Sequence, residues 1–309
     1  METYEFTRGL DHASIVAASE RVAWSVDDVF GNRGFDPSMP MVPDSWLGTD
    51  GLDLLNDRER LVLGHCRAFS YVHLLGNFEE FAPPHLGGSA ERDWHDDRAR
   101  LRALLRFADE EMKHQQLLRR AEQVLEQSCG HGFGRHFDDS KIRVTALTNA
   151  ILEYSSLARF LMVLALEWGT QRHYVESVRD RDENRTDRLY VDVLKAHWVE
   201  EAQHIKIDAL EIAQLARESS REALDGAFDE VLALGGLVDA AFAGQAACEI
   251  ETLERVTRRK FTDREITVLC DTLHRSLRDI FAGVGLGHPS FAKVARELSR
   301  SGAARLGIA

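Results

Sequence analysis

From Leu55 onward the chain is built of long segments without proline. Their apolar residues recur three and four apart, the period of a helix buried along one face. The first segment runs from about Leu55 to Ala82, where Pro83 and Pro84 stop it. The second spans about Asp96 to Gln127 and ends near Gly130. The third covers about Ser140 to Arg179 and the fourth about Thr186 to Arg217. Each is long enough to cross a bundle, and the pairs one/two and three/four can each close as an antiparallel hairpin. The expected fold is therefore all-α, with a four-helix core. Further helices are expected near Ser220–Leu234, Leu237–Arg259, Asp263–Ala282 and Ser290–Ser299. Ahead of them, residues 1–54 hold Pro37, Pro40 and Pro43 among scattered glycines. They read as an irregular arm packed on the bundle, with one short helix near Ser14 to Val26. Residues 55–309 read as one helical domain, its core at 55–217 and a helical extension at 218–309. No strand-like alternation, glycine-rich phosphate loop or solenoid repeat stands out.

The informative residues are charged groups at core positions. Glu111 and His114 form an ExxH pair on the second segment, and Glu201 and His204 form another on the fourth. Residues three apart share a helix face. One such pair arises by chance in a chain with 13 histidines. Two of them on two long helices, with a carboxylate from each remaining helix, make a dinuclear metal site. Carboxylates neutralise and bridge two dications, and imidazoles add nitrogen ligands. On the third segment Glu167 lies on the stripe Glu153, Ser156, Phe160, Val163, Glu167, and sits 34 residues before Glu201. The hairpin midpoint then falls in the charged stretch Arg181 to Asn184. Glu153 is about 21 Å further along the axis and is a poor ligand if Glu167 is one. On the first segment the doublet Glu79-Glu80 offers two choices. Glu80, in line with Val62, Phe69, His73 and Gly76 and 31 residues before Glu111, is preferred, with Glu79 close behind. His197 precedes Glu201 by four and His204 by seven, so all three lie on one stripe.

With these residues the chain resembles the ferritin-like di-iron carboxylate superfamily. Within it, the third histidine resembles that of the para-aminobenzoate N-oxygenase (arylamine N-oxygenase) family. The resemblance implies metal ligation by Glu80, Glu111, His114, Glu167, His197, Glu201 and His204. It implies two Fe ions per chain, with Mn or mixed Mn/Fe as the other occupancies this ligand set accepts. It further implies an O2-dependent oxygenase that takes electrons from an external reductase or ferredoxin-type donor and N-oxygenates an aromatic amine. A homodimer is expected on the same ground. The alternatives are a di-iron oxidase or hydroxylase of another small organic substrate, a ribonucleotide reductase-like radical subunit, and a non-catalytic helical or storage protein. Phe69, His73, Phe107, Phe160, Val163, Leu164 and Leu194 are candidates for a pocket wall. Asp208, four after His204, is a candidate hydrogen-bond partner for a ligand imidazole. His65, His95, His131, His136, His173, His274 and His288 fit no ligand pattern and are expected on the surface or in loops.

Composition narrows the partners. The formal net charge is -13. Such a chain repels nucleic acid and anionic membrane at long range. Its four cysteines form no CxxC, so thiolate zinc and iron–sulfur sites lack a signature. Residues Met1 to Leu10 contain no apolar run, so no signal peptide is expected. The longest apolar stretch noted, Phe160 to Leu166, falls short of the roughly 20 residues a membrane span needs. A reduced, cytoplasmic protein is expected.

Overall fold

The computed structural model describes residues 4–308 apart from 50–51, 93–94, 138–139 and 180–184. The described residues form helices and no strand, as the sequence period requires. In chain order the helices that matter are α1 (His12–Arg21), α2 (Asp57–Glu79), α3 (Ala82–Glu91), α4 (Arg98–Cys129), α5 (Ser140–Leu152), α6 (Ser156–Tyr174), α7 (Arg188–Glu218), α8 (Arg221–Thr257), α9 (Asp263–Arg278) and α10 (Pro289–Leu298). The core is α2, α4, α6 and α7. Helix α2 pairs with α4, α6 pairs with α7, and α4 packs on α7 across the bundle. The hairpin midpoint expected at Arg181 to Asn184 lies outside the described residues.

Local chemistry sets the boundaries. Asn56 caps α2, accepting from the Glu59 amide while Glu59 accepts from the Asn56 amide. Pro83 and Pro84 do not simply end a helix. They sit in the first turn of α3, where proline's missing N–H costs nothing. The expected third helix is interrupted. Ser155 caps α6 through the Ala158 amide, so α5 and α6 are separate. Conversely, the two helices expected around Gly235 and Gly236 are one, because α8 runs unbroken through both.

Helix α8 lies along α2 and α6. It is the one described helix long and apolar enough to cross a membrane by length and composition, a window the sequence reading passed over. It turns Val231, Val238, Phe242 and Ile250 into the core. It also carries Glu249, whose carboxylate pairs with the equally buried Arg67 of α2 at 2.8 Å. Arg67 is completed by the Trp46 and Leu273 carbonyls. The chain after α9 is drawn against α6. A Cβ on Gly285 would lie 1.8 Å from the Ala165 carbonyl oxygen, and one on Gly169 would lie 2.9 Å from the Phe281 carbonyl oxygen. Only glycine permits that approach, and it sets Phe281 in the core beside α6. Helix α1 packs on α4 and α7 from the outside.

Candidate metal centre

Each core helix delivers charge to one buried spot. From α4, Glu111 and His114 face inward, and from α7, His197, Glu201 and His204 do so over two turns. Residues Glu111, His114, Glu201 and His204 bring one ligand atom each to within 4.8 Å of one another, and Glu79, His114 and His197 do the same. The two groups share His114, so they form one elongated site. His204 Nδ1 is 3.0 Å from Glu111 Oε1 and 3.3 Å from Glu201 Oε1. His114 Nδ1 is 3.2 Å from Glu201 Oε1. His197 Nε2 is 2.7 Å from Glu79 Oε1 and 3.6 Å from Glu201 Oε1. Glu167 of α6 lines the same cavity as Glu79, Glu111, His197 and Glu201.

One residue of the expected set is elsewhere. Glu80 points outward, partly exposed, and pairs with Arg119. Its neighbour Glu79, the last residue of α2, is buried in the cluster. The physical reason is the connection. Counting equal distances from a hairpin turn assumes a plain turn, but α3 is folded into this one. The Gln115 side chain also holds the Glu79 carbonyl, fixing how the helix ends.

Two residues that the sequence reading did not single out hold the histidines. His114 Nε2 donates to Glu200 Oε2 of α7 at 3.0 Å, and His204 Nε2 donates to Glu110 Oε2 of α4 at 3.1 Å. Each helix therefore carries Glu-Glu-x-x-His, whose second glutamate faces the centre while the first grips the other helix's histidine. That bond leaves Nδ1 of both rings aimed at the centre. The outer carboxylates are themselves neutralised. Lys113 Nζ lies 2.5 Å from Glu200, and Arg106 together with Ser19 of α1 binds Glu110. The signal was the repeated glutamate doublet before each histidine. Trp24, from the segment after α1, stacks over His114, and Phe107 stacks on His204 with centroids 4.0 Å apart.

The expected wall is only partly the observed one. Val163 does line the cavity, together with Phe78, Phe81 and Phe281, which the sequence reading left out. Phe69 and His73 lie against Phe133 and Glu122, and Phe160 lies against His85. Leu164 and Leu194 line other hollows. Asp208 does not reach a ligand imidazole, because Glu110 already occupies His204 Nε2. It faces Glu167 instead. Nor are all the remaining histidines peripheral: His65 and His173 are buried.

The electrostatics show what the cluster lacks. Buried atoms without a suitable hydrogen-bond partner include Glu79 Oε2, both Glu167 oxygens, Glu201 Oε1, and Nδ1 of His114 and His204. Such atoms are costly unless something completes them. Burial pushes Glu79 up to about 7 against the pull of His197. Burial, then the charges of Asp208 and Glu201, holds Glu167 well above the carboxylate range, and burial does the same to Asp208. Burial alone would lower His114, yet Glu200, Glu201 and Glu111 lift it to about 10. Burial would raise Glu110, but its bonds from His204 and Ser19 bring it to about 2. Metal-free, the site balances itself with protons. Four inner carboxylates facing neutral imidazoles are balanced by two dications. The donor set, carboxylate oxygen and imidazole nitrogen without sulfur, suits iron or manganese.

No family model matches the chain, and no curated protein does. Two solved structures are similar to it in chain path. Both are variants of an R2-like ligand-binding oxidase with an anaerobically reconstituted Mn/Fe cofactor. One shares 12% identity over 97% of this chain and 99% of its own, with a TM-score of 0.46. The other shares 13% identity over 94% of each chain, with a TM-score of 0.44.

Proposed function

We propose that the chain is a non-haem dinuclear metal oxidase that uses O2, with Glu79, Glu111, His114, Glu167, His197, Glu201 and His204 holding two iron ions or one manganese and one iron. The observation that supports it is the convergence of partnerless buried donors from all four core helices. Such metal ions supply one- and two-electron redox chemistry toward dioxygen. The protein's share is positional. Glu110 and Glu200 hold two imidazoles in one tautomer. Phe78, Phe81, Val163 and Phe281 keep water from the reacting face. Asp208, buried against Glu167, keeps that carboxylate beside the cavity.

The more specific reading is N-oxygenation of an aromatic amine, and His197 supports it as a third imidazole turned into the cluster. The cavity beside the centre measures about 50 Å³. A cavity that takes up benzene measures on the order of 150 Å³. An arylamine must therefore displace part of the Phe78–Phe81–Phe281 wall. The small cavity favours a second reading, oxidation of a smaller organic substrate. An external electron donor, a homodimer and a cytoplasmic setting belong to the same proposal.

The test is anaerobic reduction of the metal-loaded protein, exposure to O2, and product analysis with arylamines and with small aliphatic substrates. Hydroxylamine or nitro products support N-oxygenation. Oxidation of only the small substrates selects the second reading. Full metal loading with no oxygen uptake by the reduced protein overturns both.

A further inference from the structure

We propose a second metal site, separate from the carboxylate centre, in which His65, Cys129 and His131 bind one zinc-like divalent cation at the far end of the α2–α4 hairpin. One ligand atom from each lies within 4.8 Å of the other two. His65 is fourteen residues before Glu79 on α2, about 21 Å along the axis. Cys129 lies fifteen after His114 on α4, about 22 Å. The two sites share no ligand.

The geometry is built rather than incidental. Cys129 ends α4, and Gly130 and Gly132, both with positive φ, bracket His131 so that the chain turns back onto α2. The loop is pinned on three sides. Glu126 accepts the Gly132 and Phe133 amides, Arg255 donates to the Gly132 carbonyl, and buried Phe133 stacks on Phe69 at 4.5 Å. On α2, His65 Nε2 lies 3.0 Å from the Met39 carbonyl oxygen. A carbonyl only accepts, so Nε2 carries the hydrogen and Nδ1 presents its lone pair, the arrangement ligating histidines share. That Nδ1 is 3.1 Å from His131 Nε2. Two nitrogens each ~2.05 Å from a tetrahedral zinc ion stand about 3.3 Å apart, so the pair is already spaced as ligands.

Two imidazoles and one thiolate suit a borderline-soft dication, Zn²⁺ with Co²⁺ as its spectroscopic substitute. One thiolate leaves the ion with residual positive charge, and the Asp187 carboxylate acts on both His65 and Cys129. His65 is buried, while Cys129 and His131 are partly exposed, which gives the ion a way in and leaves the fourth position to water. Bound metal would tie α2, the end of α4 and the Met39 segment of the arm together.

The test is Co²⁺ titration of the full chain, followed by near-ultraviolet absorption. The carboxylate centre has no sulfur, so cobalt there produces no thiolate charge-transfer band. The expected result is a saturable band with the intensity of one cobalt–thiolate bond per chain, displaced by zinc, lost in Cys129→Ser and weakened at least tenfold in affinity in His131→Ala. With the carboxylate centre already loaded, zinc should raise the melting temperature of the wild type and not of Cys129→Ser. His131 is partly exposed, so its variant tests the site even if a His65 variant fails to fold. No band at saturating cobalt in folded protein overturns the proposal. So does a band that survives Cys129→Ser and disappears in Cys66→Ser. In those cases His65 and His131 are simply hydrogen-bonded to each other.

Discussion

Replacing Glu200 by glutamine removes a charge from a group that never touches the metal, yet should weaken metal binding. Glu200 is fully buried on α7, with Lys113 Nζ at 2.5 Å and His114 Nε2 at 3.0 Å. A glutamine oxygen can still accept from His114, so packing is conserved. What is lost is the carboxylate that fixes the tautomer and makes Nδ1 a better donor. Such outer partners are worth 10–100-fold in metal affinity, about 1.4–2.7 kcal/mol. Lys113 loses its partner at little cost, because its side chain is 21% exposed and can turn to water. Competition against a fluorescent chelator reads the affinity, and circular-dichroism melting of the metal-free chain checks the fold. Glu110→Gln, acting on His204 from α4, should give a loss of the same order. A metal affinity within twofold of wild type, in a variant that melts normally, would refute the idea that these carboxylates tune the histidines.

Other outcomes follow from the same geometry. Glu79→Ala should lower bound metal severalfold, while Glu80→Ala, which breaks only the pair with Arg119, should leave it unchanged; elemental analysis of both variants decides. Metal binding should release protons, since His114, raised to about 10, and Glu79, raised to about 7, must both deprotonate; affinity should climb with pH up to about 10, and calorimetry in two buffers of different ionisation enthalpy measures the protons. In the metal-free chain the sign reverses. His114 sits above its unfolded value, so it contributes full stability below about 6.5 that fades as pH rises through 10, and the melting temperature should fall over that range. Gly285→Ala places a methyl 1.8 Å from the Ala165 carbonyl and should cost about 3 kcal/mol or more in denaturant titration.

Much of this was legible in the sequence because the strongest signals are local. Helical period located the four core helices, and spacing by three, four and seven put His197, Glu201 and His204 on one stripe. What was not legible depended on contacts between helices. Glu79 rather than Glu80 enters the cluster because α3 is inserted into the hairpin, and no count along the chain reveals that. Glu110 and Glu200 lie a residue off the inward stripe. Only the crossing of α4 and α7 lets each reach the other helix's histidine, although the doubled glutamate was visible. Gly235 and Gly236 looked like a break, but packing on α2 and α6 carries α8 through them. His65 and His131 looked unrelated because 66 residues separate them, and a pair of left-handed glycines brings them together.

The central claim is that the seven inner donors exist to hold two metal ions. Its most direct test is elemental analysis of protein expressed with iron and manganese both available, counting the two metals together per chain and zinc separately. The account predicts iron plus manganese close to two per chain, falling well below one in Glu201→Ala. Iron and manganese that stay far below one per chain after reconstitution of the folded wild type would contradict it. The converging carboxylates and imidazoles would then be a proton-balanced polar core and not a metal centre.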